Sequence, residues 1–123
     1  MDIIRMVEFP NLVFTSRFYK DLNKILKGYS NAKAFEKWLL ARLSQLNEPD
    51  FNYNEYPNWF EPINDLFVIT YRHREKNIRM FYSVEGGTVK LLLCSFDEKK
   101  KADYTLGYNA AKGMLKNVRR ELL

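Results

Sequence analysis

Cationic side chains cluster in the second half of the chain, between Leu66 and Lys101. This stretch holds eight lysines and arginines against four acidic residues. The eight basic residues are Arg72, Arg74, Lys76, Arg79, Lys90, Lys99, Lys100 and Lys101. An arginine fork can hold a phosphate by two hydrogen bonds and never loses its charge, whereas lysine supplies a mobile point charge. The cluster therefore favours a polyanionic partner such as a nucleic acid.

Residue types that bind metals or act as nucleophiles are scarce. The chain has one histidine and one cysteine, and it lacks HExxH, EF-hand, GxSxG and glycine-rich phosphate-loop spacings. No metal or other cofactor is therefore predicted. Cys94, inside an apolar run, is interpreted as a small buried hydrophobe. His73 stands between two arginines and is a candidate general base, although a lone histidine in a basic hairpin is more often a surface residue.

Three strand-like runs position the cations. Leu66–Tyr71 is β-branched and aromatic, Ile78–Val84 alternates, and Val89–Phe96 is almost wholly apolar. A tight hairpin turn is predicted at Gly86-Gly87, because paired glycines supply the positive φ that such a turn needs. The sequence predicts an antiparallel meander with its cations at the strand ends and in the loops.

Helical periodicity precedes and follows these strands. Ser16 is the predicted N-cap of a first helix that ends near Gly28, and a second helix is predicted to begin near Ser30 or Asn31. Asp103 is the predicted cap of a final helix. The apolar stripes of the three helices are Phe18, Leu22, Ile25, Leu26 and Tyr29; Phe35, Trp38, Leu39, Leu43 and Leu46; and Tyr104, Tyr108, Ala111, Leu115, Val118 and Leu122.

A first strand over Asp2–Phe9 completes the predicted order β-α-α-β-β-β-α. The 123 residues suffice for one domain, which we predict to span 1–123. The predicted fold class is α+β: a small antiparallel meander sheet of three or four strands, an N-terminal αα-hairpin and a C-terminal helix. We expect the helices to pack on one face of the sheet and to leave the other face free.

The segment 47–65 breaks this pattern. It holds three of the four prolines and five acidic residues but no lysine or arginine. Its rings favour a connector packed onto the core, since apolar loop residues commonly pack in this way. The alternative is an acidic, aromatic element that guards the basic sheet or meets a partner. The rings belong to Phe51, Tyr53, Tyr56, Trp59 and Phe60.

The chain has a formal net charge of +5 at pH 7. No apolar run approaches the roughly 20 residues that span a bilayer. The first ten residues lack a basic leader followed by a long apolar segment, so export is not indicated. We therefore predict a cytoplasmic protein that does not contact a membrane.

Between Tyr71 and Ala111 the sequence resembles the RelE/ParE superfamily of type II toxins, most closely its HigB-like and phage Gp49-like branch. Members of that branch carry a strand ending in arginine, a strand read as Arg-hydrophobic-hydrophobic-Tyr, and an apolar strand closing in Phe before a Lys-Lys pair and an alanine-containing helix. The corresponding segments here are Arg72 or Arg74, Arg79-Met80-Phe81-Tyr82, Leu91–Phe96, Lys99-Lys100 and Tyr104–Ala111.

The resemblance implies a RelE-like fold and the toxin component of a toxin–antitoxin system, with a cognate antitoxin, typically a small DNA-binding protein, as its partner. It also implies mRNA on the ribosome as the target, cleaved without a metal when a 2′-hydroxyl attacks the adjacent phosphate. The catalytic roles then fall to Arg72, Arg74, Arg79 and Tyr82, and the RNA contacts to Lys76, Lys99, Lys100 and Lys101.

Alternation along the middle strand separates two of these residues. Arg79 shares a face with Phe81, whereas Tyr82 shares the other face with Met80. Tyr82 is structural if that second face belongs to the core.

Two alternatives remain open at this point. The chain could be a non-catalytic protein of the same fold, either a gyrase-directed toxin or an inactive phage or mobile-element protein. It could also be a plain RNA-binding domain, although the Lys/Arg-Gly-aromatic signature of an RNA-recognition motif is missing.

Overall fold

A computed structural model describes residues 3–122 of the chain. It has three helices and one mixed sheet of six strands, so the predicted α+β class is confirmed. A 3₁₀ turn at Tyr53–Glu55 precedes the third strand. The elements are β1 (Ile3–Met6), β2 (Phe9–Thr15), α1 (Ser16–Leu26), α2 (Ala32–Asn47), β3 (Phe60–Ile63), β4 (Leu66–His73), β5 (Lys76–Glu85), β6 (Val89–Asp97) and α3 (Lys101–Leu122).

The strands lie in the order β1-β2-β6-β5-β4-β3. All neighbours are antiparallel except β2 and β6, which run parallel with Leu12 opposite Lys90. The predicted order β-α-α-β-β-β-α was therefore incomplete, and the predicted all-antiparallel sheet was wrong. The predicted first strand, Asp2–Phe9, covers β1 and the first residue of β2, with which β1 forms a hairpin, and Asp2 lies outside the described residues.

The other missing strand is β3, which has four residues and includes Pro62. It pairs with β4 at one edge of the sheet. A proline lacks the N–H needed inside a sheet but is tolerated at an edge. A short, proline-containing edge strand in a loop-like segment carries little periodic signal.

The predicted meander is confirmed as β4-β5-β6. Gly86 and Gly87 both have positive φ, at 60° and 80°, and they connect β5 to β6 where Glu85 pairs with Val89. The glycines therefore serve the turn that the sequence predicted.

Helices cover both faces of the sheet, and the predicted free face is wrong. On β5, Met80 and Tyr82 lie in the core beneath α1 and α2, whereas Phe81 lies in a second core beneath α3. Strands buried on both sides read as continuous apolar runs, as β4 and β6 do. A charged ligand therefore has no open sheet face to occupy.

The predicted helical stripes do face the sheet. Phe18, Leu22, Phe35, Leu39 and Leu43 are buried, and Ile25 and Trp38 are half-buried against the same core. The stripe of α3 is buried at Ala111, Leu115 and Val118. No helix among residues 3–122 is long and apolar enough to cross a membrane.

The N-cap of α1 is Thr15 and not Ser16. Its hydroxyl accepts a hydrogen bond from the Phe18 N–H at 3.1 Å and donates one to the Leu93 carbonyl at 2.6 Å. Asp21 on α1 accepts a hydrogen bond from the Ser95 N–H at 3.1 Å. β2 pairs with β6 only as far as Leu92. Past that residue, the side chains of Thr15 and Asp21 form hydrogen bonds with the backbone of β6.

Two glycines of α3 give a matched test of its packing. A Cβ at Gly107 would overlap the ring of Phe96, which stacks on Phe81 with centroids 5.5 Å apart, whereas a Cβ at Gly113 meets nothing. We expect Gly107→Ala to lower the free energy of unfolding by about 1–3 kcal/mol through overpacking. Gly113→Ala should raise it by up to about 1 kcal/mol, since alanine is the better helix former. Urea unfolding measures both, and a stabilising Gly107→Ala would contradict the packing described.

Candidate nucleic-acid interface

The β4–β5 turn and the β6–α3 connection lie side by side at one end of the sheet. The Glu98 N–H donates to the Asn77 carbonyl at 2.8 Å, and Lys99 Nζ donates to the Glu75 carbonyl at 2.8 Å. These contacts bring together two groups of cations that are separated in the sequence. We call this region, residues 72–76 and 97–101, the basic end.

Five of the predicted site cations are exposed at the basic end, and a sixth, Lys76, is half-buried there. Arg74 occupies the turn itself with φ at 50°, a left-handed conformation that costs a non-glycine residue roughly 1–2 kcal/mol. A cation is thus held at the tip of the hairpin despite unfavourable backbone geometry. The exposed residues are Arg72, Arg74, Lys99, Lys100 and Lys101.

Asp97 joins the two segments of the basic end. It accepts a hydrogen bond from the Asn77 N–H at 3.0 Å and forms ion pairs with Lys99 at 2.9 Å and Lys76 at 3.4 Å. Burial acts to raise the pKa of Asp97, but the hydrogen bond from Asn77 and the two lysines outweigh it, so the pKa lies below its ordinary value. The carboxylate therefore stays charged and holds the hairpin to β6.

Asp103 sets the geometry of the lysine run. It is the third residue of α3, and its carboxylate accepts hydrogen bonds from the N–H groups of Lys99 at 2.9 Å and Lys100 at 3.0 Å. These bonds lower its pKa. The predicted capping role is therefore exerted from inside the helix, on the backbone that precedes it, and not from the N-cap position. The run is thereby fixed at the start of the helix.

Arg79 does not lie with the exposed cations. Its side chain is buried beneath α3, where it pairs with Glu98 at 3.1 Å and Glu61 at 3.3 Å and donates to Thr70 Oγ1 at 2.9 Å. The guanidinium carbon also lies 5.0 Å from the ring centre of Tyr104. Its donors are thus occupied by protein groups that link β5 to β3, β4 and the β6–α3 connection.

Tyr82 lies in the core beneath α1 and α2, with 1% of its surface exposed. Its ring stacks on Phe67 at 5.3 Å between centroids, and burial raises the pKa of its hydroxyl. That hydroxyl has no hydrogen-bond partner among residues 3–122. Alternation thus places Tyr82 on a core face, and the structure does not bring it to any surface that RNA could contact.

Lys90 is also separate from the basic end. It is buried on β6, donates to the Glu48 carbonyl at 3.1 Å and lies 5.7 Å from the ring centre of Phe51. Burial lowers the pKa of this lysine, and the carboxylates of Asp50 and Glu48 oppose that effect. Its role is to anchor the beginning of the segment 47–65 to the sheet.

A cleft of about 270 Å³ opens beside the basic end, at the edge of β4. The Thr70 N–H donates to the Trp59 carbonyl at 2.9 Å, and β3 pairs with β4 only as far as Ile69. The edge of β4 from Thr70 to His73 therefore has no β3 residue beside it, and the cleft forms along this edge. We call it the tryptophan cleft; its lining is Trp38, Asn58, Trp59, Thr70, Tyr71, Arg72 and His73.

Arg42 on α2 stabilises the wall of this cleft. Its guanidinium carbon lies 3.6 Å from the ring centre of Trp59 and 5.4 Å from that of Trp38. Burial against these rings lowers the pKa of Arg42, opposed by Tyr56. A cation–π contact at such a distance links the loop to the helix and orients both rings.

His73 stands at the mouth of the cleft. Its Nδ1 lies 3.4 Å from the Tyr29 hydroxyl and 3.5 Å from the Asn31 amide nitrogen, both in the connection between α1 and α2. Nε2 makes no hydrogen bond within the described part of the chain. One ring nitrogen is thus oriented by the protein and the other is free for a ligand.

The sequence did not single out Asn58, Trp59 or Arg42 for this site, and it placed Trp38 in the core stripe. The available signal was the aromatic content of the segment 47–65, which the sequence left open between packing and recognition. Its partner residues on α2 and β4 are far away in the chain, so spacing alone could not assemble the cleft.

No group of three or more His, Cys, Asp or Glu side chains within residues 3–122 is arranged to hold a metal ion. The chain was compared with protein-family models, with curated proteins and with solved structures, and none of the three comparisons gave a match.

The buried position of Arg79 predicts a large effect on stability. Arg79→Ala would leave the half-buried Glu98 without its cationic partner, and we expect the free energy of unfolding to fall by about 3 kcal/mol. Urea unfolding measures the loss. Arg72→Ala is the matched control: its side chain is exposed, and its effect should stay within about 0.5 kcal/mol. Equal effects of the two substitutions would refute the structural role of Arg79.

The lowered pKa of Asp97 predicts a pH-dependent contribution to stability. A depressed carboxyl pKa stabilises the fold above the ordinary value of about 4, and this stabilisation disappears as the pH falls through the lower folded value. Asp97→Asn should therefore cost about 2 kcal/mol at pH 7 and progressively less at acidic pH. Denaturant unfolding across this range tests it. A loss of stability that stays the same from pH 7 to acidic pH would contradict this role of Asp97.

Proposed function

We propose that this protein binds RNA at the basic end and acts in the cytoplasm as the toxin component of a type II toxin–antitoxin system, cleaving mRNA on the ribosome without a metal. The observation that carries the proposal is the convergence of exposed cations from two separate segments beside a cleft that contains a histidine. The resemblance to the RelE/ParE superfamily supplies the biological setting.

The charge of the basic end supports binding to a phosphate backbone. Two of its three acids are already engaged: Asp97 pairs with two lysines, and Glu98 pairs with the buried Arg79, while Glu75 is exposed. Arg72, Arg74 and Lys100 keep their charges exposed. When such cations neutralise phosphates they release counterions condensed on the nucleic acid, so the affinity falls steeply with salt.

The proposed cleavage uses groups at the mouth of the tryptophan cleft. The 2′-hydroxyl oxygen attacks the neighbouring phosphorus, and the 5′-oxygen of the next nucleotide leaves with a proton. We assign His73 Nε2 to take the proton of the 2′-hydroxyl and to return it to the 5′-oxygen as the bond from phosphorus to that oxygen breaks, which leaves a 2′,3′-cyclic phosphate; Nδ1 lies beside Tyr29 and Asn31. Arg72 and Arg74 stabilise the negative charge that develops on the phosphate. In this scheme Arg79 and Tyr82 hold the fold and do not contact RNA.

A partner belongs to the proposal. Toxins of the resembled superfamily are paired with a cognate antitoxin, typically a small DNA-binding protein, whose gene lies beside that of the toxin. An antitoxin segment rich in acidic residues would complement the basic end and block it.

The non-catalytic alternative has one observation in its favour. Two of the four residues predicted to be catalytic, Arg79 and Tyr82, are buried and lack access to a ligand. A protein that retains the fold but binds its target without cleaving it, including a gyrase-directed toxin, would tolerate that arrangement.

Expression of the wild-type chain in a bacterial host should arrest growth and create new mRNA 5′ ends inside translated frames. Arg74→Gly is the most informative variant, because glycine relieves the left-handed backbone while removing the cation. We expect Arg74→Gly to stabilise the fold by about 1 kcal/mol and yet to reduce cleavage. Loss of a transition-state contact of this type costs on the order of 2–4 kcal/mol, so the new 5′ ends should fall below detection. Mapping of mRNA 5′ ends in cells that express each chain measures the loss of cleavage.

Arg120→Ala is the matched control. It removes another exposed arginine, near Arg119, which pairs with Glu85 at the opposite end of the sheet, and cleavage should be unchanged. Intact messages together with induction of the DNA-damage response would point to gyrase and overturn the mRNA proposal. Unimpaired growth at high soluble expression would favour an inactive relative.

A further inference from the structure

Both tryptophans of the chain lie in one place. Trp38 comes from α2 and Trp59 from the segment 47–65, and the two line the same cleft at the edge of β4. Neither ring is fully buried. Arg42 fixes both rings by its cation–π contacts, and the Thr70–Trp59 hydrogen bond fixes the loop to the sheet. The cleft is therefore a preformed aromatic site.

The size and lining of the cleft match a single flat, polar-edged ring system. Its volume of about 270 Å³ lies just below the roughly 300–1,000 Å³ of pockets that hold drug-sized ligands. The indole rings supply apolar surface, and the Asn58 side chain supplies a donor and an acceptor that are exposed and lack a hydrogen-bond partner within residues 3–122. A nucleobase presents the corresponding combination of an aromatic plane and hydrogen-bonding edges.

The charges around the cleft select a nucleotide over an uncharged ring. Arg72 lines both the cleft and a smaller adjoining pocket, which also contains Asn58 and Glu61. The Glu61 carboxylate is paired with Arg79 at 3.3 Å, whereas Arg72 forms no ion pair with any residue from 3 to 122. Arg74 continues the cationic surface one residue past His73. A phosphate attached to a base in the cleft would therefore meet an arginine.

We infer that the tryptophan cleft is a base-binding pocket that accepts one unpaired nucleobase of an RNA strand while Arg72 holds the adjoining phosphate. This inference rests on the proposed RNA binding and adds its recognition element: a splayed, single-stranded nucleotide and not a duplex. Stacking of a base on aromatic side chains contributes about 1–3 kcal/mol and tolerates any base, so the pocket selects single strands without a strict sequence requirement.

Intrinsic fluorescence reports on this pocket selectively, because the only two tryptophans of the sequence both line it. The full-length protein is titrated with a short single-stranded oligoadenylate carrying 2′-O-methyl groups, which cannot be cleaved by 2′-hydroxyl attack. A second titration uses an abasic oligonucleotide of the same length and charge. We expect the oligoadenylate to quench the tryptophans and to bind roughly tenfold more tightly than the abasic strand.

Two asparagines of the same loop provide a matched pair of variants. Asn58→Asp places a negative charge in the pocket with little change in shape, and it should weaken oligoadenylate binding severalfold. Asn54→Asp adds the same charge at an exposed position of the 3₁₀ turn outside the cleft and should leave binding unchanged. Trp59→Phe and Trp38→Phe assign the quenching to each ring.

The outcomes separate the pocket from the function on which it rests. Equal affinity for the two strands, without quenching, would overturn the base-binding pocket and leave RNA binding intact. Failure of both strands to bind would overturn the RNA proposal and the pocket together. Weakening by Asn54→Asp equal to that by Asn58→Asp would show a general charge effect and contradict the pocket.

Discussion

The central strands β5 and β6 are buried on both faces, and this constraint decides where the protein can meet a charged ligand. The core beneath α1 and α2 occupies one face and the core beneath α3 the other. Cations on these strands must then be neutralised internally, as Arg79 is, or used as anchors, as Lys90 is. Only the ends of the strands and the connections between them can present free charge. The basic end is where two such connections touch.

The same constraint explains the internal electrostatics. Arg79 is buried, so its charge requires compensation. Glu98 supplies it from the β6–α3 connection and Glu61 supplies it from β3. Glu98 is thereby removed from the surface that carries Lys99 and Lys100. Asp97 is likewise committed to two lysines. The buried arginine thus makes the neighbouring surface more positive by engaging an acid that would otherwise oppose its lysines.

Sequence periodicity predicted the parts of the fold whose residues are close in the chain. The meander, its Gly86-Gly87 turn and the apolar stripes of the helices all follow from local pattern. Strands β2 and β3 did not: the predicted first strand over Asp2–Phe9 covers β1 but reaches only the first residue of β2, and the four residues of β3 with a proline carry little periodic signal. The second core was missed since an apolar run does not reveal what covers each face. Residue type alone could not show that Arg72 is exposed and Arg79 is buried. The cleft could not be predicted because it depends on contacts between α2, the segment 47–65 and β4, which are far apart in the chain.

An acidic loop beside the proposed RNA site would repel phosphates, but most of its charge is accounted for in the structure. Glu61 pairs with Arg79, Asp65 pairs with Lys112 at 3.3 Å, and Glu48 and Asp50 lie in the field of the buried Lys90. Only Glu55, in the 3₁₀ turn, is an exposed carboxylate of this loop without a cation beside it in the described part of the chain, and it does not line the cleft. What the loop presents toward β4 is therefore Trp59 and Asn58, framed by Arg42 and Arg72. The Glu61–Arg79 and Asp65–Lys112 ion pairs hold the end of this loop to β5 and α3, and the hydrogen bond from Lys90 to the Glu48 carbonyl holds its beginning to β6, so that Trp59 stays beside Arg72.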